Sequence, residues 1–135
     1  MQPDAYLPPK RRESTTMQIS LQQIALTPKT EHVAAVIGLS GRFDAHEVPR
    51  VRQALMQAAD CTKGHVIVDL GGVNFIDSSG LACLVQGMKY CRECGADQVL
   101  CNLQQPVRII FELTRLDRAF RIARSVDEAT TALAA

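Results

Sequence analysis

From Met17 onward, apolar residues fall alternately into short continuous runs and into helical spacings. Met17 to Leu26 carries Ile19, Leu21 and Ile24 in a loose strand-like run, and Pro28-Lys29-Thr30 reads as a turn. Val33 to Leu39 is a compact β-branched run, predicted as a central strand that Gly41 ends. Val48, Val51, Leu55 and Ala58 keep helical spacing, which predicts a helix over 45–59 with Pro49 tolerated in its first turn. Val66-Ile67-Val68-Asp69-Leu70 is nearly continuous, as expected of a strand buried on both faces. Gly71-Gly72 interrupts it, and Val73 to Ile76 continues extended. Leu81, Leu84, Val85 and Met88 mark an amphipathic helix stopping near Gly95. A strand over 99–103 follows, then a helix opened by Pro106 and carrying Val107, Ile110, Phe111 and Leu113. The pattern closes with a short strand over 120–123. Ser125 and Glu128 then form a capping box for a last helix ending near Leu133.

Strands alternating with helices of about 10–15 residues imply crossover connections. The expected fold class is α/β: a single domain with a small, mostly parallel β-sheet of four to five strands and flanking helices on one or both sides. The first strand or two are candidates for antiparallel pairing. No internal repeat is present, which excludes a solenoid. The prolines Pro3, Pro8 and Pro9 and the triplet Lys10-Arg11-Arg12 set residues 1–16 apart as a flexible leader to a domain over 17–135.

Composition narrows the function. Fifteen Lys and Arg against 14 Asp and Glu give a formal charge of +1, so no electrostatic footprint for nucleic acid or an acidic membrane exists. Trp is absent and aromatics make up 4%, which argues against a base-stacking platform. No apolar run reaches the roughly 18 residues of a bilayer span, and the N-terminus has no secretory pattern. Five cysteines, an odd number, then read as reduced thiols in a cytoplasm.

The candidate chemistry lies in Asn74-Phe75-Ile76-Asp77-Ser78-Ser79-Gly80-Leu81, where a strand passes through Asp-Ser-Ser-Gly directly into a helix. In open α/β sheets the carboxyl ends of the strands are where ligands and partners meet the chain. A helix start there adds unpaired N–H groups and the positive end of the macrodipole. Asp77 or Ser78 serves as an N-cap, and Gly80 allows close helix–strand packing. One capping residue suffices, which leaves a second Ser unaccounted for.

This block, with Gly41-Arg42-Phe43-Asp44 upstream and Pro106-Val107-Arg108-Ile109-Ile110-Phe111 downstream, resembles a STAS domain, and more narrowly an anti-sigma-factor antagonist. The resemblance spans nearly all of 17–133. It implies a STAS-like fold and a protein-binding switch without catalytic residues or cofactors. In that family the unphosphorylated form binds an anti-sigma factor, commonly a serine kinase with a histidine-kinase-like ATPase fold, and so frees a sigma factor. The kinase phosphorylates the second Ser of the motif, which falls on Ser79, and a metal-dependent PP2C-type phosphatase reverses it. The acidic contact positions fall on Asp77 and Asp44. Ser78 is then the neighbouring cap, and Gly80 and Arg42 complete the partner-binding set. Arg42 stands where the family often has Glu, which bears on partner choice. A STAS switch acting on a signalling kinase, a secretion system or a stressosome-like scaffold would use the same chemistry.

Other readings have less behind them. Cys91-Arg92-Glu93-Cys94 falls at a helix end and lacks a second ligand pair, so it fits neither a redox motif nor a zinc site. Cys61, Cys83 and Cys101 read as small apolar residues in or near the core. His32, His46 and His65 show no metal-site spacing and read as surface residues. A serine hydrolase lacks both G-x-S-x-G and a His after His65, and no nucleotide-binding glycine motif occurs.

Overall fold

The computed structural model describes residues 16–26 and 32–134. The elements run β1 (Gln18–Ala25), β2 (Val33–Phe43), α1 (Val48–Thr62), β3 (His65–Ile76), α2 (Ser78–Glu93), β4 (Asp97–Cys101), α3 (Gln105–Leu113), a 3₁₀ turn (Leu116–Arg118), β5 (Arg121–Ala123) and α4 (Val126–Ala134). Five strands form one sheet in sequence order; β1 pairs antiparallel with β2, and the other three pairings are parallel. The α/β expectation therefore holds, with the antiparallel partner at the β1 edge. The leader assigned to 1–16, apart from Thr16, and the turn at Pro28-Lys29-Thr30 lie outside the described residues.

Period-two alternation divides the buried strand residues between two faces. Ala35, Ile37 and Leu39 of β2, Val66, Val68 and Leu70 of β3, and Leu100 of β4 share a core with Val51 and Leu55 of α1, Leu84 and Met88 of α2, and Val107 and Phe111 of α3. Ala34, Val36, Ile67, Val99 and Cys101 meet Ala129 of α4 on the opposite face. Three crossover helices thus cover one side and the terminal helix the other. Ser125 caps the last helix as expected, the Glu128 amide donating to Ser125 Oγ at 3.1 Å, but the return bond of the box reaches one residue further back, from the Arg124 amide to Glu128 Oε1 at 3.0 Å.

Two expected strand breaks are absent. β2 runs through Gly41, whose φ of +119° carries the ladder on to Phe43. A Cβ at Gly41 would also come within 3.2 Å of Met17 Cα, so glycine is required there on both counts. Gly71-Gly72 likewise lies within one continuous strand. The β2–β3 register shifts between Gly38 and Ser40 and again between Gly41 and Arg42, each time with an extra residue on β3. Each bulge flips the side-chain parity of the residues beyond it, so Leu70, Val73 and Ile76, three apart, all point into the same core.

Smaller boundaries also differ. The first helix begins at Val48, after a turn in which the Glu47 amide donates to Asp44 O at 3.0 Å. β4 begins at Asp97 and ends at Cys101, because Asn102 adopts φ 58°. Asp97 and Gln98 are buried polar residues: Arg92 Nε donates to Asp97 Oδ1 at 3.0 Å, and Gln98 Nε2 donates to Leu84 O at 3.0 Å while its Oε1 finds no partner among the described residues.

Candidate functional site

Phe43 and Ile76 stand opposite each other at the ends of β2 and β3, so the chain leaves both strands at one sheet edge. There the Asp77 amide donates to Phe43 O at 3.2 Å, tying the start of α2 to the end of β2. Asp77 is extended (φ −105°, ψ −176°), and its Oδ1 accepts from the Gly80 amide at 3.0 Å. Asp77 is therefore the N-cap. Ser78, expected to cap, is the exposed first residue of the helix, because the extended backbone at Asp77 is what aims a side chain back at the third amide. Ser79 follows, half-buried.

The Gly80 N–H bond holds the Asp77 carboxyl below its usual pKa of 3.8. Partial burial opposes this, and the Ser79 hydroxyl and the Ser79 and Ala45 amides lower it further. Asp77 is thus a pinned anion in hydrogen-bonding reach of the Ser79 side chain. Gly80 explains how α2 comes so close. A Cβ there would sit 2.8 Å from both Phe43 O and Ile76 Cγ1 and 3.1 Å from Phe43 Cγ. Only hydrogen fits.

Asp44 occupies the same edge. Its Oδ1 accepts from the His46 amide at 3.1 Å, and its side chain stays 28% exposed. Arg42 is exposed, its guanidinium 3.9 Å above the centre of the Phe75 ring, one register position before the Phe43–Ile76 pair. Phe43 and Ile76 point into the core, so Arg42 and Phe75 project from the opposite face of the sheet. The edge therefore brings Asp44, Asp77, Ser78 and Ser79 together, with a stacked cation beside them on the far face.

Glu47 carries no signature of its own in the sequence, yet it organises the neighbourhood of the site. Its Oε1 accepts from Arg50 Nη1 at 2.8 Å and its Oε2 from the Met17 amide at 3.3 Å, while Arg50 also donates to Met17 O at 2.9 Å. This clamp fixes the start of β1 beside the site. The only sequence signal for it is the i,i+3 spacing of Glu47 and Arg50.

Among the described residues no group of His, Cys, Asp and Glu could hold a metal ion, and no helix is long and apolar enough to cross a membrane. Cys83, Cys91 and Cys101 are buried, and desolvation pushes their thiols up to about 11, 12 and 12. Cys61 is exposed on the last turn of α1 rather than in the core, because the apolar stripe of that helix passes through Ala58 and Thr62. His65 is half-buried rather than on the surface: its ring packs edge-on to His32 at 5.8 Å, and its Nδ1 lies 2.9 Å from Thr62 O.

Known proteins resemble this chain in both sequence and fold. It is 28% identical over 101 residues to the anti-sigma F factor antagonist of Paenibacillus polymyxa, covering 73% of this chain and 82% of that one. It is 32% identical over 94 residues to the anti-sigma-B factor antagonist of Listeria monocytogenes, covering 69% and 80%. Both are named as antagonists of anti-sigma factors. The fold matches an anti-sigma factor antagonist from Mycobacterium paratuberculosis with a TM-score of 0.72 at 22% identity, over 88% of this chain and 95% of that one. It also matches unphosphorylated SpoIIAA with a TM-score of 0.61 at 24% identity, over 82% and 92%. The STAS domain family itself matches residues 25–129. With its five-strand sheet, its Asp-capped α2 and that match over most of its length, the chain belongs to the STAS domain family.

Proposed function

We propose that this protein is an anti-sigma-factor antagonist acting in the cytoplasm. Its unphosphorylated form binds an anti-sigma factor that is also a serine kinase with a histidine-kinase-like ATPase fold, and so releases a sigma factor. Phosphorylation of Ser79 ends that binding, and a PP2C-type phosphatase restores it. The observation that carries this reading is the position of Ser79: half-exposed in the first turn of α2, next to the capping carboxylate of Asp77, on the edge that also holds Asp44. The names of its relatives support the role, and SpoIIAA, which shares the fold, has been solved in a phosphorylated form.

The physics of the switch starts at the cap. A phosphoserine adds about −1.5 to −2 charges and three acceptor oxygens. At a helix N-terminus the macrodipole offsets roughly 0.3–1 kcal/mol of that charge. Repulsion from Asp77 in water is on the order of 1 kcal/mol per pair of charges at 4 Å. The two effects are similar in size, so the domain stays folded. At a docked face the balance differs. The phosphate replaces a neutral hydroxyl beside Asp77 and puts a hydrated dianion where a partner must make dry contact. A loss of about 3 kcal/mol there weakens binding roughly a hundredfold. Asp44, Asp77, Ser78, Ser79 and Gly80 form the contact patch, and Arg42 selects among partners by charge.

The test is incubation with the anti-sigma serine kinases of the same genome and Mg-ATP, with phosphosite mapping and binding by calorimetry. Phosphate on Ser79, no incorporation in Ser79→Ala, and at least tenfold weaker binding of Ser79→Glu are expected. Phosphorylation elsewhere, or tight binding by Ser79→Glu, overturns the reading.

A further inference from the structure

β1 closes one side of the sheet, and among the described residues nothing pairs with its outer edge. Its eight residues, Gln18-Ile19-Ser20-Leu21-Gln22-Gln23-Ile24-Ala25, carry no charge and no proline. Its ladder with β2 runs without a register shift from Gln18–Ser40 to Ala25–Val33, so no bulge twists the edge away. Charge, proline and bulges are the usual devices that keep an edge strand from pairing. All three are missing here. On the helix-covered face Leu21 is 59% exposed and borders a groove of about 430 Å³ lined by Gln23, Ala35, Gln57, Ala58, Asp60 and Cys61.

We propose that the outer edge of β1 is a self-association site, and that its occupant is β1 of a second copy paired antiparallel about a two-fold axis normal to the sheet. Directly opposed residues of an antiparallel pair lie on the same face. With that axis, odd-numbered residues must therefore face odd-numbered ones. The pairing that places Leu21 against Leu21 of the second copy matches Ile19 with Gln23 on the helix face. On the other face it matches Ser20 with Gln22 and Gln18 with Ile24. No charge opposes a like charge along the paired strands themselves, and the one charged side chain among the described residues that line the groove, Asp60, accepts from the Tyr90 hydroxyl. The two exposed leucines cover each other above the paired grooves, and the two sheets join into one of ten strands. An uncharged strand is complementary to itself in this way, whereas a charged edge would repel its copy. Leu21 and its groove share no residue with the Ser79 edge, and the inference does not depend on the function proposed above.

Sedimentation velocity on the 135-residue chain, from about 10 µM to 1 mM, reads the association directly. A reversible monomer–dimer equilibrium is expected, and Leu21→Lys, which sets two like charges at the axis, weakens it at least tenfold with an unchanged circular dichroism spectrum. Leu21→Thr, which keeps β-propensity, weakens it less and serves if the lysine variant misfolds. In a Cys61→Ser/Cys94→Ser background, Leu21→Cys is expected to form a disulfide-linked dimer under mild oxidation. Leu113→Cys, on the exposed side of α3, is not. A monomer across the whole range, a dimer indifferent to Leu21→Lys, or equal cross-linking through position 113 overturns the proposal.

Discussion

Replacing Gly80 by alanine sets two effects of known sign against each other. Alanine is favoured over glycine in a helix by about 1 kcal/mol, so propensity alone makes Gly80→Ala stabilising. The new Cβ, however, would sit 2.8 Å from Phe43 O and from Ile76 Cγ1. Ordinary contact begins near 3.4 Å, so α2 must retreat by about 0.6 Å, because the backbone carbonyl cannot turn aside. That same carbonyl accepts the Asp77 amide, and the retreat lengthens a bond already at 3.2 Å. Overpacking of this kind costs about 1–3 kcal/mol, and a weakened hydrogen bond adds about 1 kcal/mol. The clash wins, with a net loss of about 1–3 kcal/mol. In urea, where m for a domain of this size is about 1–2 kcal/mol/M, the midpoint falls by roughly 0.5–3 M with m unchanged. Ser78→Ala, at the exposed first helical position, is the control and stays within about 0.5 kcal/mol. A Gly80→Ala midpoint at or above that of the wild type would refute the reasoning, since it would mean that α2 does not need this close approach to β2.

The same geometry fixes two further outcomes. Asp77→Ala removes the cap and lowers stability at pH 7 by about 1 kcal/mol, whereas Asp77→Asn, also a good capping residue, loses less. Because the folded-state pKa of Asp77 lies below its usual 3.8, the charged cap stabilises fully above that value and loses its effect as pH falls through the folded value. The gap between wild type and Asp77→Ala, measured by urea titration, therefore narrows below about pH 4; a gap independent of pH would rule out the charged cap. Thiol reactivity tests the burial pattern: with an aromatic disulfide reagent at pH 7.5, Cys61 reacts first, while Cys83, Cys91 and Cys101 react only after denaturation. Rapid labelling of any of those three in the native protein would contradict the packing.

What the sequence alone determined was periodicity and punctuation. Helical spacing from Val48 to Ala58 and from Leu81 to Met88, the run Val66–Leu70, and the Ser125–Glu128 box are local signals, so the α/β alternation and the strand-to-helix junction at Asp77-Ser78-Ser79-Gly80 were legible without coordinates. Local signals end where distant segments meet. Gly41 and Gly71-Gly72 looked like strand breaks because glycine usually marks one; they remain in the ladder because β2 and β3 pair across them and two bulges restore the apolar face. The cap fell to Asp77 rather than Ser78 because the Asp77 amide is held by Phe43 O, 34 positions earlier in the chain, which fixes the extended backbone that aims the carboxylate at Gly80. Asp44 and Asp77 share an edge because Phe43 and Ile76 lie in register, and the Glu47–Arg50–Met17 clamp exists because β1 returns antiparallel beside β2. The chemistry of each residue is local, but which residues face one another is decided by strand register, a long-range property that periodicity does not encode.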